Sequence, residues 1–231
     1  MTFLFVDNID SFAVEKPIQG SLNIKHVELY LVRREAERKV FVPSLVGEAI
    51  GQLVAWAVMN KLNFELRPVA GIVSKVMMHE EVVPNSTLFL EATIDRLDRE
   101  SVGYHGVAKI NNQVVFSIER ALGPMMPMEE FIAKDEVINQ FEKICSGSFS
   151  RAKVLKPVDE RFIQFNQISP PASEIREDVV GVMYVDEQAP YFSDHFPLKP
   201  VLPLTVLLNA NLEFALRHVA SLSYTSCKVR S

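Results

Sequence analysis

With 231 residues, 48% of them hydrophobic and 23% charged, the chain is long enough for one large domain or two small ones around a sizeable core. A formal net charge of −5 argues against nucleic-acid binding through bulk charge, and the two cysteines, Cys145 and Cys227, neither match a metal-ligand spacing nor suggest a disulfide framework. MTFLFVDNID lacks the basic region of a signal peptide, and the most apolar stretch (45–59) carries Glu48 and Gln52 and is too short to span a bilayer, so the expected setting is cytoplasmic, with no membrane and no nucleic-acid partner.

FLFVDNID (3–10) leads through a loop with Glu and Pro into SLNIKHVELYL (21–31), whose alternation predicts a strand. FVP (41–43) then opens a helix over roughly 44–62 that is apolar all round its central turns and so should be buried. Strand-like runs follow at 70–83, 88–98, 101–110 and 113–123, separated by the turns PNST (84–87) and Asn-Asn. The unit is therefore a strand, a long helix and an antiparallel meander. A sheet wrapped round one helix would bury that helix on nearly all sides.

Residues 124–157 read as a linker. Phe131, Ile132, Val137, Ile138, Phe141 and Ile144 have helical spacing and predict an amphipathic helix packed on the outside, before the turn CSGSFS. The first pattern then begins again: FIQFNQIS (162–169) is similar to 3–10, VVGVMYV (179–185) reads as a strand, VLP (201–203) corresponds to FVP, and a second buried helix is predicted over 204–220. A repeat this long means two copies of one fold, residues 1–123 and 158–231. The second copy is incomplete: SYTSCKVRS matches only the stretch leading to Ser74–Val76, and Met77–Gly123 has no counterpart. The chain is thus expected to be a truncated form of a longer protein, or to take those strands from a partner chain.

Residues 193–206, SDHFPLKPVLPLTV, place three prolines shortly after His195. Proline fixes φ and removes a backbone donor, so this stretch is neither a sheet strand nor a helix interior. It reads as a stiff loop that delivers His195 to a fixed place and launches the second helix, or else as a stiff connector with an incidental histidine.

These segments carry a resemblance. Residues 70–116 resemble the meander of hotdog-fold 3-hydroxyacyl-(acyl-carrier-protein) dehydratases, GEAIGQLVAW (47–56) resembles their central helix, and FSDHFPLKPVLP (192–203) their active-site loop. The resemblance implies an α+β double hotdog, each unit an antiparallel sheet round a long central helix, with the second unit incomplete. It also implies a hydro-lyase that converts a 3-hydroxyacyl thioester to a trans-2-enoyl thioester and water, without cofactor or metal. The partner would be an acyl carrier protein bearing a phosphopantetheine-linked acyl chain, and a homodimer would be compatible with the family.

In that family a loop histidine from one hotdog meets a helix carboxylate from its neighbour, the carboxylate lying fourteen residues after its own unit's histidine. Here Asn209 stands fourteen residues after His195, and Arg34 stands fourteen before Glu48. The copies have lost opposite halves of the pair, so one composite site is expected, with His195 as base and Glu48 as acid. Phe192, Phe196, Pro197, Pro203, Leu204, Ser44 and Gln52 form the implied substrate-contacting set. Backbone N–H groups at a helix N-terminus would polarise the thioester. Leu198 and Leu204 stand where the family usually has glycine, and Ser44 follows Pro43 in the first copy.

Each residue also has a plainer reading. Glu48 could serve only as a helix acid, and Gln52 as a structural partner of the helix. Glu213, one turn after Asn209, could be a displaced acid. Phe192, Phe196, Tyr191 and Trp56 either line an acyl tunnel or belong to ordinary core. His26, His79, His105 and His218 read as surface or packing residues. Arg33, Arg34, Arg38 and Lys39 are either a solvated loop or a dock for an acidic carrier protein. Two other functions compete: a hotdog thioesterase, which would release free thiol, and a non-catalytic acyl- or carrier-binding module of a fatty-acid or polyketide pathway.

Overall fold

A computed structural model describes residues 3–33, 38–149, 167–169 and 180–221. Phe3, Leu4, Phe5 and Val6 are buried ahead of β1 (Asn8–Ser11), which pairs antiparallel with β2 (Ile18–Asn23). The strand expected over 21–31 stops at Asn23. Ile24–Tyr30 turns instead as 3-10 helix, after which β3 (Leu31–Arg33) and β4 (Lys39–Phe41) pair with each other. The cause lies in the spacing. The segment kinks at Val27 (φ −126°, ψ 28°), and Ile24, Val27 and Tyr30, spaced by three, are all fully enclosed, whereas a strand needs alternate residues inside.

α1 (Pro43–Lys61) begins with proline at a position where the missing N–H costs nothing. Leu45, Val46, Ala49, Ile50, Leu53, Val54, Ala57 and Val58 are buried, and at 3.6 residues per turn they form one broad face covering more than half of the helix, while Ser44, Glu48 and Gln52 on the remaining side are half-buried. The helix ends where Asn63 and Phe64 take positive φ and the Phe64 N–H donates to the Met59 carbonyl at 2.7 Å.

Five strands follow: β5 (Leu66–Pro68), β6 (Ile72–Met78), β7 (Thr87–Leu97), β8 (Ser101–Ile110) and β9 (Gln113–Pro127). The antiparallel sheet runs β1-β2-β7-β8-β9-β5, with β6 also paired to β9. Asn111 and Asn112 both take positive φ, as a two-residue hairpin turn requires. β9 continues past the expected end at 123. Pro124 and Pro127 read as strand terminators, but Pro124 takes the last place in the ladder with β8, opposite Ser101, and Pro127 the last place in the ladder with β5, opposite Leu66, where a missing N–H is tolerated. The sheet curls round α1, which packs against β2, β5, β7, β8 and β9. This is the hotdog arrangement within an α+β fold.

α2 (Lys134–Cys145) is the expected amphipathic helix. It buries Val137, Phe141 and Ile144, and the Phe141 ring lies 5.4 Å from Phe12, 5.5 Å from Phe64 and 6.2 Å from Trp56 between centroids. Beyond it, β10 (Gln167–Ser169) pairs with β11 (Val180–Val182), and α3 (Leu204–Ser221) packs against α1. Of the strand expected over 179–185, only Val180–Val182 is strand. Arg34, Cys227 and the SYTSCKVRS segment lie outside the described residues, as do the side chains of Arg33 and His218. No helix among the described residues is long and apolar enough to cross a membrane.

Candidate active site

The loop carrying His195 closes on itself. The His195 N–H donates to the Tyr191 carbonyl at 2.7 Å, and the ring Nδ1 lies 3.1 Å from the Val201 carbonyl oxygen. A carbonyl can only accept, so Nδ1 carries the hydrogen and the neutral ring keeps its lone pair on Nε2. The next residue, Phe196, has φ +65°, a left-handed conformation that bulky side chains rarely adopt. Packing holds it there. Its ring centroid is 4.1 Å from that of His195 and 4.6 Å from that of Phe131, and the Arg67 guanidinium carbon stands 4.7 Å from it. Two further bonds staple the loop to the segment before α2: the Leu198 N–H to the Phe131 carbonyl at 3.0 Å, and Lys199 Nζ to Glu130 Oε2 at 2.8 Å.

Ser44, Glu48 and Gln52 recur every four residues, so they share one face of α1. Glu48 Oε1 accepts from Gln52 Nε2 and Oε2 accepts from Thr205 Oγ1, each at 3.0 Å. Ser44 Oγ donates to the Thr205 backbone carbonyl at 2.7 Å, so the first turn of α3 is tied to α1 at two points. Gln52 also binds the N-terminal segment: its Oε1 accepts from the Phe5 N–H at 2.8 Å and its Nε2 donates to the Phe3 carbonyl at 3.3 Å. The Phe3 N–H in turn donates to Asp194 Oδ2 at 3.0 Å. Glu48 and the residue next to His195 are thus joined through one hydrogen-bonded chain.

The electrostatics link the same groups. Burial pushes the His195 pKa down; the Glu48 charge and the Val201 hydrogen bond oppose this, and Arg67 adds to it. Arg67 is itself pushed down to about 10 by burial, against the pull of Glu48. Burial, and then the Glu48 charge, raise the pKa of Tyr104. A cavity of about 290 Å³ lies beside His195, lined by Phe3, Gln52, Trp56, Met59, Arg67, Ile132, Asp194 and Pro197 among others.

Of the residues singled out in the sequence, His195, Gln52 and Pro197 line the cavity; Glu48 does not line it but stands where α1 meets α3, and its charge acts on His195. Ser44 ties the helices. Phe192 is half-buried against Tyr191, Phe196 and Pro203 are buried, and Leu204 is 49% exposed; none of the four lines this cavity. Trp56 lines it, Tyr191 is buried, and Asn209 is buried one turn after Thr205. His26, His79 and His105 lie at the surface beside Asp7, Ser117 and Asp95. Arg38 pairs with Glu81. Sequence reading missed Arg67, Thr205 and Asp194. The signal for Arg67 was a lone cation inside the apolar run FELRPVAG, and Thr205 stood unremarked at the start of the second helix.

No family model matches the chain. The 3-hydroxyacyl-(acyl-carrier-protein) dehydratase FabZ of Xanthomonas oryzae pv. oryzae is 30% identical to it over 123 residues, which cover 51% of this chain and 79% of that protein. The FabZ of Caldanaerobacter subterraneus subsp. tengcongensis is 30% identical over 119 residues, 51% of this chain and 84% of that one. Among solved structures, a thioesterase from Haemophilus influenzae superimposes with a TM-score of 0.41 at 13% identity, over 52% of this chain and 78% of that chain. Sequence identity at that level across most of a FabZ polypeptide, on a sheet wrapped round one buried helix, identifies this chain as a member of the 3-hydroxyacyl-(acyl-carrier-protein) dehydratase FabZ family.

Proposed function

We propose that the two halves of the chain form a tandem hotdog with one composite site, which dehydrates a 3-hydroxyacyl thioester held on the phosphopantetheine arm of an acyl carrier protein. The observation that supports this reading is that the charge of Glu48, on α1, acts on His195, on the loop before α3. In the mechanism, neutral His195 Nε2 takes a proton from C2. The electrons of that C–H bond form the C2–C3 double bond as the C3–O bond breaks. The Glu48 carboxyl supplies the proton with which the hydroxyl leaves as water. The imidazolium and carboxylate left behind recover the starting state by moving one proton from His195 to Glu48.

Thr205 suits this cycle. Its hydroxyl donates to Oε2 when Glu48 is a carboxylate and can rotate to accept when Glu48 is an acid, whereas the Gln52 amide nitrogen only donates. Thr205→Val is therefore expected to lower kcat about tenfold, the cost of one hydrogen bond to a charged group, with little change in KM, and Thr205→Ser to restore it. An equal loss in both variants would assign Thr205 a packing role only.

The test of the reading as a whole is direct. Purified chain mixed with a 3-hydroxyacyl-carrier protein should yield trans-2-enoyl thioester, detected by mass, with no free thiol. Free thiol without enoyl product would make the chain a thioesterase. Binding with neither product would make it a non-catalytic module.

A further inference from the structure

The cavity beside His195 is poorly suited to a long alkyl chain. Its volume, about 290 Å³, is at the low end of ligand pockets. Ala55, Trp56 and Met59 give it an apolar wall, but Gln52, Arg67 and Asp194 face it too, and a hydrocarbon laid against them would shut the Arg67 charge away from water.

Arg67 is the group that needs explaining. It stands on β5, its backbone paired with Met126. Its Nε is buried and has no hydrogen-bond partner, and no ion pair closes on the guanidinium among the described residues. The only contact to its charge with a stated geometry is the face of the Phe196 ring. Glu48 lies near enough to pull on it, but both Glu48 oxygens already accept from Gln52 and Thr205. Asp194 accepts from the Phe3 N–H and Glu136 lines the cavity from α2, but among the described residues no carboxylate oxygen comes within ion-pair distance of the guanidinium, so the Glu48 charge acts on it only from further off. Arginine keeps its charge under these conditions, and holding a half-buried guanidinium with its Nε enclosed and no ion pair is costly. A cation kept in this way beside the reacting groups implies that its counterion arrives with the substrate.

We propose that the acyl group handled at His195 and Glu48 is short and ends in a carboxylate that pairs with Arg67, which makes the substrate a monothioester of a short 3-hydroxy dicarboxylic acid. This rests on the dehydratase reading and names its substrate class.

The experiment compares 3-hydroxyglutaryl-pantetheine with a neutral counterpart in which a methyl-branched terminus of the same shape replaces the carboxylate. The wild-type chain is expected to favour the carboxylate in kcat/KM by roughly 10- to 100-fold, the worth of a hydrogen-bonded charge pair. Arg67→Met should bring the two to within a few-fold of each other. Its thermal unfolding should be no lower than that of the unliganded wild type, because the substitution removes a half-buried cation that has no ion pair and whose enclosed Nε has no hydrogen-bond partner. Arg67→Lys, which keeps the charge but not the planar fork, should retain part of the preference.

Binding of glutaryl-pantetheine, which lacks the hydroxyl and cannot react, separates this proposal from the dehydratase reading. Arg67-dependent binding with no turnover of any 3-hydroxyacyl thioester would sink the dehydratase reading and leave the anion site standing. Turnover with no carboxylate preference, or a preference that survives in Arg67→Met, would overturn the proposal. So would an Arg67 effect that appears only when 4′-phosphopantetheine replaces pantetheine, because the anion would then be the phosphate of the arm.

Discussion

His195→Ala and Glu48→Gln are each expected to lower kcat/KM for 3-hydroxyacyl thioester dehydration by about 10²- to 10⁴-fold, the usual worth of a positioned acid or base, while the thermal unfolding profile is retained. The two losses should not multiply. Once either partner of a concerted proton exchange is gone, the other has little left to do, so the double variant should fall close to the worse single variant. The pH profile gives a second check. His195 acts as base only when neutral, and burial holds its pKa below the ordinary 6.5. The acidic limb of log kcat/KM should therefore remain flat as pH falls through 6.5 and turn down only below it. A limb that already falls above 6.5 would mean that the titrating base is not this histidine. Near-normal activity in both single variants would remove the catalytic pairing and favour the binding-module reading.

What could be read from the sequence follows physical scale. α1 and the hairpin strands were legible because each is long and keeps one period: a broad apolar face that recurs every helical turn, or alternation ended by the Asn-Asn turn. The stretch 24–30 was not, because Ile24, Val27 and Tyr30 repeat every three residues in a window too short to separate that period from two. The end of β9 was hidden because proline signals a stop unless the edge it occupies is known. At the candidate site, the stiff proline loop and the apolar helix drew notice to His195 and Glu48, whose catalytic roles are proposed. Thr205 and Arg67 drew none. Their significance comes from contacts between distant parts of the chain: a threonine hydroxyl on Glu48, and a guanidinium beside Phe196. Local pattern carries no information about such pairings.

Gly106→Ala is expected to destabilise the chain by about 1–3 kcal/mol, the range for overpacking a dense core. Gly106 sits in β8 where the sheet meets α1. A methyl group there would stand 2.7 Å from Ile50 Cγ2, 2.8 Å from the Glu91 backbone oxygen and 3.2 Å from Ala92 Cβ. Ile50 can shift, but the Glu91 oxygen belongs to β7, whose ladder with β8 continues on both sides of the contact. The strain is therefore shared between the β7–β8 ladder, which must spread at Glu91, and α1, which must draw back at Ile50, and α1 carries Glu48 and Gln52 on either side of Ile50. The melting temperature should fall by roughly 2–4 °C per kcal/mol for a chain of this size. Activity measured well below that temperature should fall as well, because Glu48 is drawn from its bond to Thr205. Ile50→Ala alone should cost about 2–5 kcal/mol as a cavity. Combined with Gly106→Ala it should cost less than the sum, because the new methyl group fills space that the isoleucine vacates. Additive costs, or a neutral Gly106→Ala, would show that the helix is not seated on this glycine and that the position of Glu48 is set from the α3 side, through Thr205 and Ser44.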